Sequence, residues 1–324
     1  MPWQVYLILS IIFILILLCL LLFYIVKKEL SFIFKGRCDR NENTLQDKPL
    51  TDFPNLNYTE ISFKNLNETI NGRIYFYNEI ANKDIIIFCH GYGAGHEAYI
   101  SEIDFFAKNN FVVVGFDYRG CKLSSGKLSH FGSSVVDTEA CYNYLLNNNY
   151  LQNKKVYLVG HSWGAYTALC CSKLPKIEKV IALCPFNNPV DFFTKKCYFK
   201  EKFFTYILKP FRLLYLKLKY KKYGNISSYK TIDNSNKKAL IIFGEQDLII
   251  GKINYVFNNN VTKLSLADKG HNPYNTVEAE KYLNETITNL TLAENKQEFL
   301  QQVDYLKITQ QDNVIMQTML DFLK

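Results

Sequence analysis

The sequence predicts an α/β fold, a mostly parallel and doubly wound sheet preceded by one N-terminal transmembrane helix. Three observations carry this. Continuous apolar runs within 84–90 and 111–117 have the look of strands buried on both faces, the habit of parallel sheets. Helix-type stretches at 97–109, 133–148 and 163–174 alternate with such runs, as they do where right-handed crossovers return the chain to one sheet. A third apolar run, 155–160, breaks at Gly160-His161-Ser162-Trp163-Gly164 before a helical pattern resumes, which reads as strand, sharp turn and helix.

In chain order, the first element is Val5 to Val26, without a charge; 22 helical residues would be about 33 Å long, the thickness of a bilayer's hydrocarbon. A cleaved signal peptide would carry basic residues before this run and small residues after it, but Phe23-Tyr24-Ile25-Val26 leads directly into Lys27 and Lys28. The run therefore reads as an anchor over 1–28. Lys27, Lys28, Lys35, Arg37 and Arg40 all follow it, so the charge bias puts the body on the cytoplasmic side. Residues 29–55, with Pro49 and Pro54, suit a linker. A body over 56–292 begins with period-two patterns at 58–64 and 72–77, read as an antiparallel pair joined across 65–71. Runs at 179–184, 238–243 and 262–267 complete the strands, and 293–324 reads as a helical tail.

Composition narrows the chemistry. At 324 residues and 48% hydrophobic, the chain can bury one large core. Of nine cysteines, Cys89, Cys121, Cys141, Cys170, Cys171 and Cys184 fall inside predicted strands and helices, where they read as small buried hydrophobes and not as a disulfide framework. No paired Cys-x-x-Cys and only five scattered histidines point to no metal site and no cofactor.

The turn at Ser162 sets up nucleophilic chemistry. A serine there is pushed into strained backbone geometry, exposed at the carboxyl end of a strand, and the N–H of Trp163 at the following helix start points at an oxyanion forming beside it. A hydroxyl needs a base and the base an orienting carboxylate. His271, in the loop after the last predicted strand, and Asp247, just past the strand at 238–243, stand in suitable places. Glu245 is the alternative carboxylate, two residues earlier. The glycine-rich turn His90-Gly91-Tyr92-Gly93-Ala94-Gly95 would supply the second oxyanion donor from the Tyr92 N–H, with His90 as a structural prop. Phosphate binding is a poor reading of that turn, which lacks both the Gly-Lys-Ser/Thr and the Gly-x-Gly-x-x-Gly spacing.

These motifs, with Phe116-Asp117-Tyr118-Arg119-Gly120 between them, come in an order that resembles the serine hydrolases of the α/β-hydrolase superfamily over about 58–290. Esterases, monoacylglycerol-lipase-like enzymes and serine aminopeptidase-like members are similar. The resemblance implies the α/β-hydrolase fold, a structural turn at Asp117 and Arg119, a Ser162–His271–Asp247 triad working through an acyl-enzyme, and a cap insertion at about 186–236. In this chain the insertion is unusual: between Lys195 and Tyr223, ten basic residues, Arg212 among them, alternate with aromatic and aliphatic ones. That mixture suits an anionic bilayer surface, where lysine stems snorkel and rings sit at the headgroups. A solvated cap is the plainer reading, and nucleic acid is disfavoured. The expectation is a membrane-anchored serine hydrolase cleaving an acyl ester with an apolar chain. A peptidase or thioesterase of the same fold is the alternative, and a non-catalytic membrane adaptor the reading from another class.

Overall fold

The structure is a computed structural model that describes residues 2–34, 36–37, 45 and 50–324. Lys35, Arg40, Pro49 and much of the expected linker therefore lie outside the described residues, as does the side chain of Lys200.

One eight-stranded sheet organises the body, in the order β1-β2-β4-β3-β5-β6-β7-β8. The strands are β1 (Asn57–Asn65), β2 (Glu68–Phe76), β3 (Ile85–Cys89), β4 (Val112–Phe116), β5 (Val156–His161), β6 (Ile177–Leu183), β7 (Lys238–Gly244) and β8 (Val261–Leu266). The first two pairings, β1 with β2 and β2 with β4, are antiparallel, and the rest are parallel. The continuous apolar runs are explained by two cores: in β3, Ile85, Ile87 and Cys89 enter one and Ile86 and Phe88 the other. The β1–β2 hairpin is tighter than the expected loop over 65–71. Only Leu66 and Asn67 turn the chain, with Leu66 at φ 55°, and the polar segment 68–71 is paired strand.

The helices are α1 (Trp3–Ile33), α2 (Ile100–Lys108), α3 (Ser133–Asn147), α4 (Trp163–Cys170), α5 (Pro189–Glu201), α6 (Phe204–Tyr220), α7 (Ser228–Asp233), α8 (Val277–Leu292), α9 (Lys296–Gln301), α10 (Tyr305–Ile308) and α11 (Asn313–Leu323). The expected tail is not a separate piece. Met316, Met319, Leu320 and Leu323 of α11 recur on one helical face and enter the same core as Ile103 and Phe106 of α2. Lys179 closes that helix by donating to the carbonyls of Phe322 at 2.7 Å and Leu323 at 3.1 Å.

α1 is long and apolar enough to cross a membrane. It does not end at 28 as expected but continues through Ile33, and its last turns join the body. Leu22, Val26 and Leu30, spaced four apart, are buried while the preceding apolar residues are bare. They pack on α6, where Phe23 meets Tyr215 at 5.7 Å between ring centres. Arg212 also corrects an expectation: it is not one of the cap's exposed cations. Fully buried, it donates to Glu29 at 2.9–3.2 Å, to Glu201 at 2.6 Å and to Thr205, tying α1 to α5 and α6. Lys209 pairs with Asp191 at 2.7 Å, and Lys195 donates to the Ile250 carbonyl.

A buried guanidinium stripped of one carboxylate keeps its desolvation cost and loses a charged hydrogen bond, worth about 2 kcal/mol. Glu29→Ala should therefore lower stability by about that amount in denaturation of the detergent-solubilised full chain. An unchanged midpoint would mean that Glu201 and Thr205 alone satisfy Arg212.

Candidate active site

β5 ends at His161 and α4 begins at Trp163, leaving one residue to reverse the chain. That residue, Ser162, has φ 56° and ψ −114°. The two flanking glycines answer a shortage of space: a Cβ on Gly164 would overlap the Cys89 carbonyl, and one on Gly160 would overlap the Gly164 carbonyl. The turn is pinned by Ser162 N donating to Leu183 O at 2.8 Å and Tyr166 N donating to Ser162 O at 3.1 Å.

The predicted residues meet here. His271 Nε2 lies 3.0 Å from Ser162 Oγ, and His271 Nδ1 lies 2.8 Å from Asp247 Oδ2. The other carboxylate oxygen of Asp247 accepts from Ile249 N at 2.7 Å and Ile250 N at 2.9 Å. Burial pushes the Asp247 carboxyl up, but the hydrogen bond and charge of His271 and these two amides outweigh it and hold it at about 2. Glu245, the alternative, turns away: it accepts from Ser265 Oγ at 2.7 Å and pairs with Lys252 at 3.3 Å. Trp163 opens α4, so its N–H has no partner one turn earlier in the helix. Tyr92 and Trp163 line one cavity with Ser162 and His271, their rings 5.9 Å apart.

Sequence reasoning missed what positions His271. His161 Nε2 donates to the His271 carbonyl at 2.7 Å, and its Nδ1 faces Tyr99 Oη at 2.9 Å. The same Tyr99 hydroxyl accepts from Gly91 N at 3.1 Å, so one ring links the loop at 91 to the loop at 271. The tautomer is assigned from this network. Glu280 of α8 accepts from Gly270 N at 2.8 Å and Asn272 N at 2.9 Å. Lys269 pairs with Asp312, the N-cap of α11, at 2.7 Å. The only signal for His161 was its place beside Ser162. His90, expected as a prop, is buried, with Nδ1 2.8 Å from Gly91 O and Nε2 accepting from Tyr118 N at 3.0 Å. Asp117 accepts from His96 N at 3.0 Å and lies 2.8 Å from His96 Nδ1, and Arg119 pairs with Asp137 at 2.6 Å.

The cavity measures about 1090 Å³. Its lining includes the apolar or aromatic Ile33, Tyr92, Phe131, Phe192 and Phe193 and the polar Lys196, Asp268 and Asn272, while α8 contributes both Val277, Leu283 and Ile287 and Glu280, Lys281, Asn284 and Glu285. Among the described residues, Cys184, Asp247 and His271 cluster closely enough to share an ion, but Asp247 and His271 already bond each other.

A model described as the alpha/beta hydrolase fold matches residues 84–212. The protein named "Putative esterase/lipase 2" of Mycoplasma genitalium is 25% identical over 251 residues, covering 64% of this chain and 90% of its own. An esterase of Pyrococcus furiosus superposes with a TM-score of 0.56 at 20% identity, covering 77% of this chain and 96% of that one. An acylaminoacyl peptidase of Pyrococcus horikoshii superposes with a TM-score of 0.53 at 13% identity, over 78% of this chain and 44% of that one. These solved structures carry the fold.

Burial sets a pH dependence. It pushes the rings of His90 to about 4, His130 to about 3 and His161 to about 3, all below the ordinary histidine value of 6.5. Above pH 6.5 folded and unfolded chains alike keep these rings neutral, and their contribution is fully present. Below it the unfolded chain takes up protons that the folded chain refuses, so stability falls as pH drops toward 4, by up to about 1.4 kcal/mol per pH unit for each ring. Denaturation midpoints measured from pH 7 to 4 should show this. His130→Phe, which keeps the ring stacked on Tyr220, should remove about one proton from the slope; an unaltered slope would contradict the assignment.

Proposed function

We propose that this chain, a protein of the α/β-hydrolase fold, is a membrane-anchored serine esterase. The observation that carries the reading is the relay Ser162 Oγ, His271 Nε2, His271 Nδ1, Asp247 Oδ2, with both contacts at hydrogen-bond length beside an aromatic cavity. In this mechanism His271 takes the Ser162 proton as Oγ attacks an ester carbonyl. Asp247 holds the Nδ1 proton and so keeps Nε2 free to accept. The N–H groups of Trp163 and Tyr92 receive the oxyanion, and the first is helped by the positive end of the α4 dipole. His271 then returns the proton to the departing alcohol. Water, deprotonated by the same ring, releases the acid and regenerates Ser162. The ester preference rests on the esterase relatives and on an apolar wall suited to an acyl chain.

The membrane half of the proposal rests on how α1 and α6 run together. Phe23 faces Tyr215 and Glu29 faces Arg212, so the two helices are antiparallel, and α6 beyond Tyr215 heads toward the apolar run of α1. That end of α6 exposes Leu214 and Leu218 among Lys217, Lys219, Lys221 and Lys222. With α1 in a bilayer, these residues lie at headgroup level, and the lysines attract anionic lipid. Lys27 and Lys28, exposed at the end of the apolar run, favour a cytoplasmic body.

Ser162→Ala should abolish hydrolysis of p-nitrophenyl esters by the full chain. Asp247→Asn should lower kcat by about 10⁴ through the wrong tautomer of His271. Glu245→Gln should do little, and the reverse ranking would mean that the wrong carboxylate was chosen. A chain lacking residues 2–20 should still sediment with vesicles containing anionic lipid at low salt. It should detach as salt shortens the screening length toward about 8 Å. Failure to sediment at low salt would leave α1 as the sole membrane contact.

A further inference from the structure

We infer that the last turn of the anchor helix is a wall of the substrate pocket, so that α1 both tethers the enzyme and determines which acyl chains it accepts. The inference rests on the serine-esterase reading above and names its substrate class: an ester whose acyl chain is long enough to reach from Ser162 to α1. Ile33, the final residue of α1, lines the same cavity as Ser162. Phe34 follows it into the aromatic lining, 5.4 Å from Phe131 and 5.6 Å from Phe193 between ring centres, both edge-on. Phe131 in turn lies 5.7 Å from Trp163, and Tyr92 lies 5.9 Å from each of them. A continuous apolar surface thus runs from the oxyanion side of Ser162 to the end of α1.

Two features make this wall part of a built site. The Arg212 cluster fixes the register of α1 one turn before Ile33, since Glu29 is held from Arg212 and from the Cys197 thiol, which donates to Glu29 at 3.1 Å. Cys197 itself lines the cavity, so the clamp sits at the pocket's edge. The cavity also offers polar groups for the rest of the ester: α8 contributes Glu280, Lys281, Asn284 and Glu285 beside its apolar Val277, Leu283 and Ile287. An acyl chain placed toward Ile33 points its tail at the anchor helix and leaves the alcohol portion free to meet those polar groups. Each methylene buried against such a wall strengthens binding, and a bulkier wall rejects the longest chains first.

The experiment compares kcat/KM for p-nitrophenyl butyrate, laurate and palmitate in one detergent, using the full chain and three variants. Ile33→Trp should lower the laurate-to-butyrate ratio about tenfold. Ile33→Ala should move the palmitate-to-laurate ratio the other way, severalfold upward. Phe32→Trp, on a residue 81% exposed beside the wall, should match the wild-type ratios. Opposite shifts from the two Ile33 variants are what a chain-length wall produces and what a general loss of stability does not. Equal ratios in wild type, Ile33→Trp and Ile33→Ala would overturn the wall and leave the esterase reading intact. A wild type inert toward all three esters would overturn the esterase reading, and this inference with it.

Discussion

The start of α4 crosses the end of β3 so closely that Gly164 has no room for a side chain against the Cys89 carbonyl. Much of the site follows from that approach. It leaves one residue between β5 and α4, and Ser162 must take a positive φ of 56° to make the reversal. Such a conformation costs about 1–3 kcal/mol and survives only where the surroundings over-determine it. Here β5 is paired on both sides, and the Ser162 amide is tied to Leu183. The reversal brings Oγ within 3.0 Å of His271 Nε2 and places it at the start of α4, whose first N–H groups have no partner within the helix.

His271 is held as firmly as Ser162. Its loop hangs from His161, from Glu280 on α8 and, through Lys269, from Asp312 at the start of α11. His161 fills this role as a neutral ring, because it presents a donor to the His271 carbonyl and an acceptor to the Tyr99 hydroxyl. Burial keeps it neutral across the physiological range. The C-terminal segment therefore supports the site as well as the core, since α11 packs under the sheet with α2.

Most of the sheet and the site residues were legible because their signals are local. A wholly apolar run of five residues announces a strand with two buried faces, and a serine between close glycines announces a forced turn. Other features depend on partners distant in sequence. The stretch at 203–223 does not by itself mark Arg212 off from the exposed lysines around it; Glu29, 183 residues away, joins Glu201 and Thr205 to make it a buried clamp. The lysines after Val26 suggest an end to α1, yet the helix continues through Ile33 with Leu30 buried in the core it shares with α6. The polar start of β2 read as loop, since its pairing with β1 is a matter of register and not of hydrophobicity. In α11 the buried face of Ile315, Met316, Met319, Leu320 and Leu323 is defined by the surface that receives it, which is assembled from β-strands and α2.

α1, α5 and the Ser162 turn border one cavity, and the proposed esterase chemistry rests on Ser162 as its nucleophile. Fluorophosphonate labelling of the full chain, followed by peptide mapping, tests that claim most directly. The predicted result is a single phosphonyl adduct on the peptide containing Ser162, lost in Ser162→Ala. No adduct on the wild type, or equal labelling of Ser162→Ala, would contradict it.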